Sequence, residues 1–161
     1  MLYLMKLKTI KAGDVPTPAM NEEEVKKFLQ SKLNLQLATI DEGGDPNIQP
    51  VWFQFENDSE KFYVMTTKES SKVRNIHKRS NIYFSIDDEI FPYKGVKGKG
   101  IVSIIDNPTK VVPIAEKINL KYLDSLEHPL AKMLMEYARD GKEILLEITP
   151  TFFSTWDYSK T

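Results

Sequence analysis

The chain contains no cysteine and only two histidines, His77 and His128, in 161 residues. Without cysteine there is no disulfide, no thiolate nucleophile and no sulfur ligand for zinc or an iron–sulfur cluster. Absence of thiol chemistry fits a cytoplasmic protein. Two separated histidines supply too few ligands for a histidine-rich metal centre, so no metal site is expected, and they leave little scope for histidine acid–base catalysis. Long apolar runs are also missing. Nothing approaches the ~20 apolar residues that a membrane-spanning helix needs, and Lys6 and Lys8 break the N-terminal stretch before a signal-peptide core can form. The formal net charge is -1, which gives no global attraction to nucleic acid or to an anionic membrane. Hydrolase signatures are absent. The run Gly95-Val96-Lys97-Gly98-Lys99-Gly100 has neither the Gly-Lys-Ser/Thr ending nor the following helix of a nucleotide-binding loop. If the chain is an enzyme, a bound cofactor must carry most of its chemistry.

What is present is an ordinary globular composition, 41% hydrophobic and 28% charged, in a length suited to one domain. Residues 1–20 read as an arm without helical period, and 21–161 as a single domain. Asn21-Glu22-Glu23-Glu24 opens a helix, with Asn21 as cap and Glu24 as its capping-box partner. Val25, Phe28, Leu29 and Leu33 share one face of it. Strands are expected over Leu35 to Ile40, Pro46 to Phe55, Lys61 to Thr67, Asn81 to Asp87, Val96 to Asp106 and Glu143 to Thr149, with a last extended segment over Thr151 to Tyr158. Pro50 cannot donate to a ladder, so its strand needs an edge or a bulge there. Helices are expected over Ser70 to Arg79, from Pro108 with a stripe of Val112, Ala115, Ile118, Asn119 and Tyr122, and over Pro129 to Arg139. Five strands precede the long helical insertion with one helix among them. That pattern favours a mainly β fold, a small antiparallel barrel with peripheral helices, over a doubly wound sheet.

The stretch from Pro46 to Arg79 concentrates the chemistry. Thr66-Thr67-Lys68-Glu69-Ser70-Ser71-Lys72 packs four hydroxyls and two ammonium groups into the junction between a strand and a helix. Orphan N–H groups at a helix start, with hydroxyls and lysine beside them, suit a phosphate. The adjacent strand Gln49-Pro50-Val51-Trp52-Phe53 offers a flat apolar wall. Together they point to a phosphorylated aromatic cofactor. The plainer readings are a capped helix with a solvated basic face, and strand aromatics that belong to the core. Lys97 and Lys99 share one face of their strand, and Gly98 and Gly100 leave the other nearly bare, which admits a close ligand or another backbone. A single-stranded nucleic-acid surface on Lys68, Lys72, Arg74, Lys78 and Arg79 is disfavoured by the near-zero net charge.

The succession Leu37-Ala38-Thr39-Ile40, Gly44-Asp45-Pro46, Pro50-Val51-Trp52-Phe53, Phe62-Tyr63, Ser71-Lys72-Val73-Arg74-Asn75-Ile76, Ile86-Asp87-Asp88 and Trp156-Asp157-Tyr158 resembles the pyridoxamine 5'-phosphate oxidase-like split β-barrel family. The resemblance implies a six-stranded antiparallel split barrel that forms a homodimer, with FMN in clefts between subunits, acting as an oxidoreductase on a small-molecule substrate or a nicotinamide. It would place Val51, Trp52 and Phe53 along the flavin ring, and Thr66 and Thr67 at the ribityl–phosphate end. Ser71 and Lys72 would hold the phosphate, Asn75 matches a polar position on the same helix, and Trp156 would approach from the C-terminal segment across the interface. The Arg-Leu-x-Pro ending used by pyridoxamine phosphate oxidases for substrate is absent, since the chain ends Trp156-Asp157-Tyr158-Ser159-Lys160-Thr161. Pro-Val-Trp-Phe with Lys-x-Arg-Asn also looks like members that bind a deazaflavin coenzyme, whose acidic tail Lys97, Lys99 or Lys68 would meet. A module that holds flavin or haem without turnover is the further alternative.

Overall fold

The computed structural model describes residues 9–11 and 18–161. Its strands are β1 (Thr9–Lys11), β2 (Leu35–Ile40), β3 (Pro46–Val51), β4 (Gln54–Glu56), β5 (Lys61–Thr67), β6 (Asn81–Asp87), β7 (Lys94–Ile105) and β8 (Glu143–Asp157). The helices are α1 (Glu22–Phe28), α2 (Ser71–Lys78), α3 (Pro108–Leu123) and α4 (Pro129–Arg139). Strands run in the order β3-β2-β6-β7-β8-β5-β4, and every neighbouring pair along that path is antiparallel. From the arm, β1 adds a parallel pairing to β8, Thr9 opposite Phe153.

The path holds seven strands where six are expected, because the expected strand from Pro46 to Phe55 is two. β3 ends at Val51 on one edge of the path, and β4 begins at Gln54 on the other. Only Trp52 and Phe53 separate edges that lie at opposite ends of the path. So short a covalent link forces the sheet to curl on itself, which gives the split barrel and brings its two edges close together. Pro50 sits on β3, an edge strand, where its missing N–H costs no ladder bond.

The two expected C-terminal segments form one strand, β8. Its register against β7 shifts between Lys99 opposite Phe152 and Gly100 opposite Pro150, leaving Thr151 as the extra residue of a bulge. Gly98 and Gly100 owe their place to this packing. A Cβ on Gly98 would stand 2.2 Å from the Phe152 carbonyl oxygen, and one on Gly100 2.8 Å from that of Thr149. Another backbone packs against the bared face.

Alternation along the strands sends one side chain in two inward. Phe55, Phe62, Phe84 and Phe153 meet there, with Phe62 4.8 Å from both Phe55 and Phe84 between ring centroids. Helix α1 adds Val25 and Leu29 to the same core. A second cluster forms where α3 and α4 cover the outer side of β8, uniting Val111, Ala115, Met135, Ala138 and Leu145. The buried stripe of α3 is Val111, Ala115, Ile118 and Asn119, so Val111 leads it instead of Val112. No helix among the described residues is long and apolar enough to cross a membrane.

Candidate functional site

Helix α2 follows β5 after three residues, and its N-cap Ser70 makes no side-chain hydrogen bond to the first turn. The Ser70 hydroxyl is engaged with the Thr66 hydroxyl instead, at 3.3 Å. No acidic residue occupies the first turn, while Lys72 does. The helix therefore presents uncapped N–H groups and a cation at one end, which is the electrostatic requirement of an anion site. Lys72 Nζ donates to Thr66 Oγ1 at 3.1 Å, which aims the ammonium toward β5.

That end opens into a cleft of about 390 Å³, lined by Pro50, Val51, Trp52, Met65, Thr66, Thr67, Lys72, Ile118, Leu134 and Glu143. Five of the residues expected at a cofactor, Val51, Trp52, Thr66, Thr67 and Lys72, are brought together here. The Trp52 indole forms the flat wall and is itself backed by Tyr122 of α3, stacked at 4.8 Å with planes 3° apart. An aromatic sandwich of this kind fixes the ring's orientation and leaves less to order on binding.

The other four expected residues lie elsewhere. Phe53 points into the barrel core, fully buried. Its backbone is also committed, since its N–H donates to Tyr122 Oη at 3.3 Å and its carbonyl accepts from Lys121 Nζ at 3.0 Å. The reason is the crossing at residues 52 and 53, which sends two sequential aromatics to opposite sides. Lys121 is held among carbonyls and over the Phe53 ring, 3.7 Å from its centroid, and burial pulls its pKa down to about 8. Asn75 is buried and donates to Thr39 Oγ1 at 3.0 Å, fastening α2 onto β2. Ser71 lies beside the cleft and meets Gln49 Nε2 at 3.3 Å. Trp156 sits near the far end of β8 opposite Gly95, where its ring occupies the space a Cβ would need. His77, on α2, is exposed. Lys97 and Lys99 are exposed on the outer sheet face, and neither lines this cleft.

Glu143, Ile118, Leu134 and Tyr122 are not among the residues expected at the site. All four come from the C-terminal third of the chain and arrive through sheet register and helix packing. Glu143 stands opposite Thr67 in the β5–β8 ladder. It is 4% exposed, and its Oε2 has no hydrogen-bond partner among the described residues. Burial pushes its carboxyl up to about 7, against the pull of the Lys72 ammonium. Burial likewise lowers Lys72, against the pull of Glu143. The only signal in sequence was an acidic residue at the start of a strongly apolar strand, Glu143-Ile144-Leu145-Leu146.

The residues fit a phosphorylated aromatic ligand in three respects: an uncapped helix start with a lysine, hydroxyls beside it, and a rigid indole wall. Solved structures of similar fold include the conserved hypothetical protein Rv2991 from Mycobacterium tuberculosis, 21% identical with a TM-score of 0.78 over 94% of this chain and 92% of that one. An F420 reductase is 26% identical with a TM-score of 0.65, over 80% and 94%. The haem storage protein HutZ from Vibrio cholerae is 17% identical with a TM-score of 0.64, over 82% and 92%. No curated protein matches the sequence. The family model for pyridoxamine 5'-phosphate oxidase matches residues 21–157, and the chain belongs to that family.

Proposed function

We propose that this protein is a flavin-binding oxidoreductase that holds FMN in the cleft between β5, the start of α2 and Trp52. The observation that carries the reading is the uncapped N-terminus of α2 with Lys72 and Thr66 at one end of a cleft walled by Trp52. Lys72, Thr66, Thr67 and the first-turn N–H groups would take the phosphate, with Ser71 next to them. Trp52 and Val51 would border the ring, with Tyr122 keeping the indole in place. The bound flavin would supply hydride or electron transfer with a nicotinamide or an organic substrate. The chain's own part is to bind, orient and exclude water, because no histidine lines the cleft.

A homodimer belongs to the same reading. On the outer sheet face, Ile48, Tyr83 and Ile101 are 65%, 55% and 47% exposed. Ile48 and Tyr83 both pair with Ala38 across the sheet, and Ile48 shares its side of β3 with Pro50, which borders the cleft. A second copy seated on this face would lie next to the cleft and bury the apolar row. Trp156 would then serve the partner's site.

Titrating FMN into the protein, with visible absorption and thermal unfolding as readouts, tests the reading. Perturbed flavin bands and a raised melting temperature are expected, and absence of both overturns it. A deazaflavin coenzyme in place of FMN is the second reading, favoured by the likeness to an F420 reductase. The same titration with that coenzyme decides between them. Steady-state oxidation of a nicotinamide by the loaded protein separates an enzyme from a non-catalytic flavin- or haem-holding module.

A further inference from the structure

Glu143 is an awkward neighbour for a phosphate. Its carboxyl lines the cleft with Lys72, Thr66 and Thr67, and it is buried where an anion would have to approach. From the elements packed around it, Lys72 of α2 is the one charged side chain in the cleft lining. Thr67 of β5 is polar, and Ile118 of α3 and Leu134 of α4 are apolar. A buried acceptor without a donor is costly unless something else supplies one. The protein offers Oε2 none among the described residues.

We propose, resting on the cofactor reading above, that Glu143 reads the polyol chain of the ligand, accepting a hydrogen bond from a hydroxyl close to the phosphate that Lys72 holds. The geometry restricts the donor. With its carboxyl ionised, as it is above about pH 7, Glu143 has no proton to donate and repels a phosphate, which drives the anion toward Lys72 and the α2 start. The ring sits at the opposite, apolar wall of Trp52. The donor must therefore lie on the linker between phosphate and ring. A linker without hydroxyls leaves Oε2 buried and unpaired, so the site rejects it. Sites built to bond a ligand hydroxyl discriminate most strongly in this way, because the penalty falls on the wrong ligand. Glu143 is thus a specificity-determining residue for phosphorylated polyols over plain alkyl phosphates, whichever ring they carry.

The test compares FMN with a flavin whose ribityl chain is replaced by an unsubstituted pentyl chain ending in phosphate. The same pair built on a deazaflavin ring is measured alongside, so that whichever ring binds supplies the comparison. Calorimetric titration of wild-type protein, Glu143→Leu and Glu143→Gln gives the dissociation constants, with thermal unfolding of each apo variant as the folding control. The wild type is expected to prefer the hydroxylated chain by about tenfold or more. Glu143→Leu is expected to reduce that preference to within about threefold, chiefly by binding the alkyl analogue better. Glu143→Gln, which keeps a carbonyl acceptor of the same shape, is expected to retain most of it. Equal loss of both ligands in Glu143→Leu would show that Glu143 meets the phosphate and overturn the inference. A fully retained preference would overturn it as well, leaving the cofactor reading intact. If the wild type binds neither ring system, the cofactor reading falls and this inference with it.

Discussion

Helices α1 and α2 are both short and both begin beside a lysine-bearing surface, yet their N-terminal ends are built in opposite ways. At α1 the chain satisfies itself. Asn21 Oδ1 accepts from the Glu24 N–H at 2.9 Å, Glu24 Oε2 accepts from the Asn21 N–H at 2.7 Å, and three glutamates fill the first turn. At α2 the cap residue Ser70 bonds to Thr66, the first turn holds no acid, and Lys72 stands where a glutamate would complement the helix dipole. The nearby acid comes from β8 and is buried. A closed helix start needs nothing further and is structural. An open one, reinforced with a cation and set in a cleft, is stable only at a cost that a bound anion would relieve.

The largest effect expected from this contrast is on stability against pH. The Glu143 pKa lies at about 7 in the folded chain against an ordinary value of 4.5, so the folded state holds that proton more tightly than the unfolded one. Its favourable contribution is full below pH 4.5 and is lost as pH rises through 7, a swing of roughly 3 kcal/mol at most. Urea midpoints of the apo protein at pH 5 and pH 8 should show wild type losing ground to Glu143→Gln as pH rises. Parallel curves would mean that the buried carboxyl carries no such penalty.

Next in size is Lys72→Ala. A charge-assisted contact contributes ~1.5–3 kcal/mol, so FMN affinity should fall about tenfold or more while riboflavin binding changes little. Equal weakening of both ligands would place Lys72 away from the phosphate. A mutation at the closed end should do the reverse. Asn21→Ala removes a satisfied capping box and should cost about 1 kcal/mol in chemical denaturation, with FMN affinity unchanged. The smallest effect belongs to Ser70→Ala, which removes a cap residue that caps nothing and should shift stability by less than ~0.5 kcal/mol. A Ser70→Ala loss as large as that of Asn21→Ala would erase the distinction between the two helix starts. On the outer face, the proposed homodimer predicts that Tyr83→Glu sediments as a monomer where wild type sediments as a dimer, with FMN binding weakened in step.

Much of the fold was legible because its signals are local. The Asn21 and Glu24 pair, the alternation of Phe62, Val64 and Thr66, and the basic helix after the Thr66-Thr67 junction depend on neighbours a few residues away. The same locality explains the errors. Trp52 and Phe53 read as one continuous strand, because nothing in a short window shows that the chain changes edges between them. On α3 the expected stripe holds at Ala115, Ile118 and Asn119, and only its first buried residue differs, Val111 in place of Val112, because packing against β8 and α4 fixes which side of the first turn is covered.

By itself the sequence determined the antiparallel barrel with peripheral helices, excluded thiol chemistry, and put a cation and hydroxyls at the start of α2. These follow from periodicity, capping and residue type, which act over a few residues. Tertiary structure alone decided which candidates share a cleft. It turned Phe53 and Asn75 into the core, set Tyr122 behind Trp52, and brought Glu143 opposite Thr67 within electrostatic reach of Lys72. Strand register and helix docking are settled by burying the whole apolar surface at once, and no single stretch of sequence contains that balance.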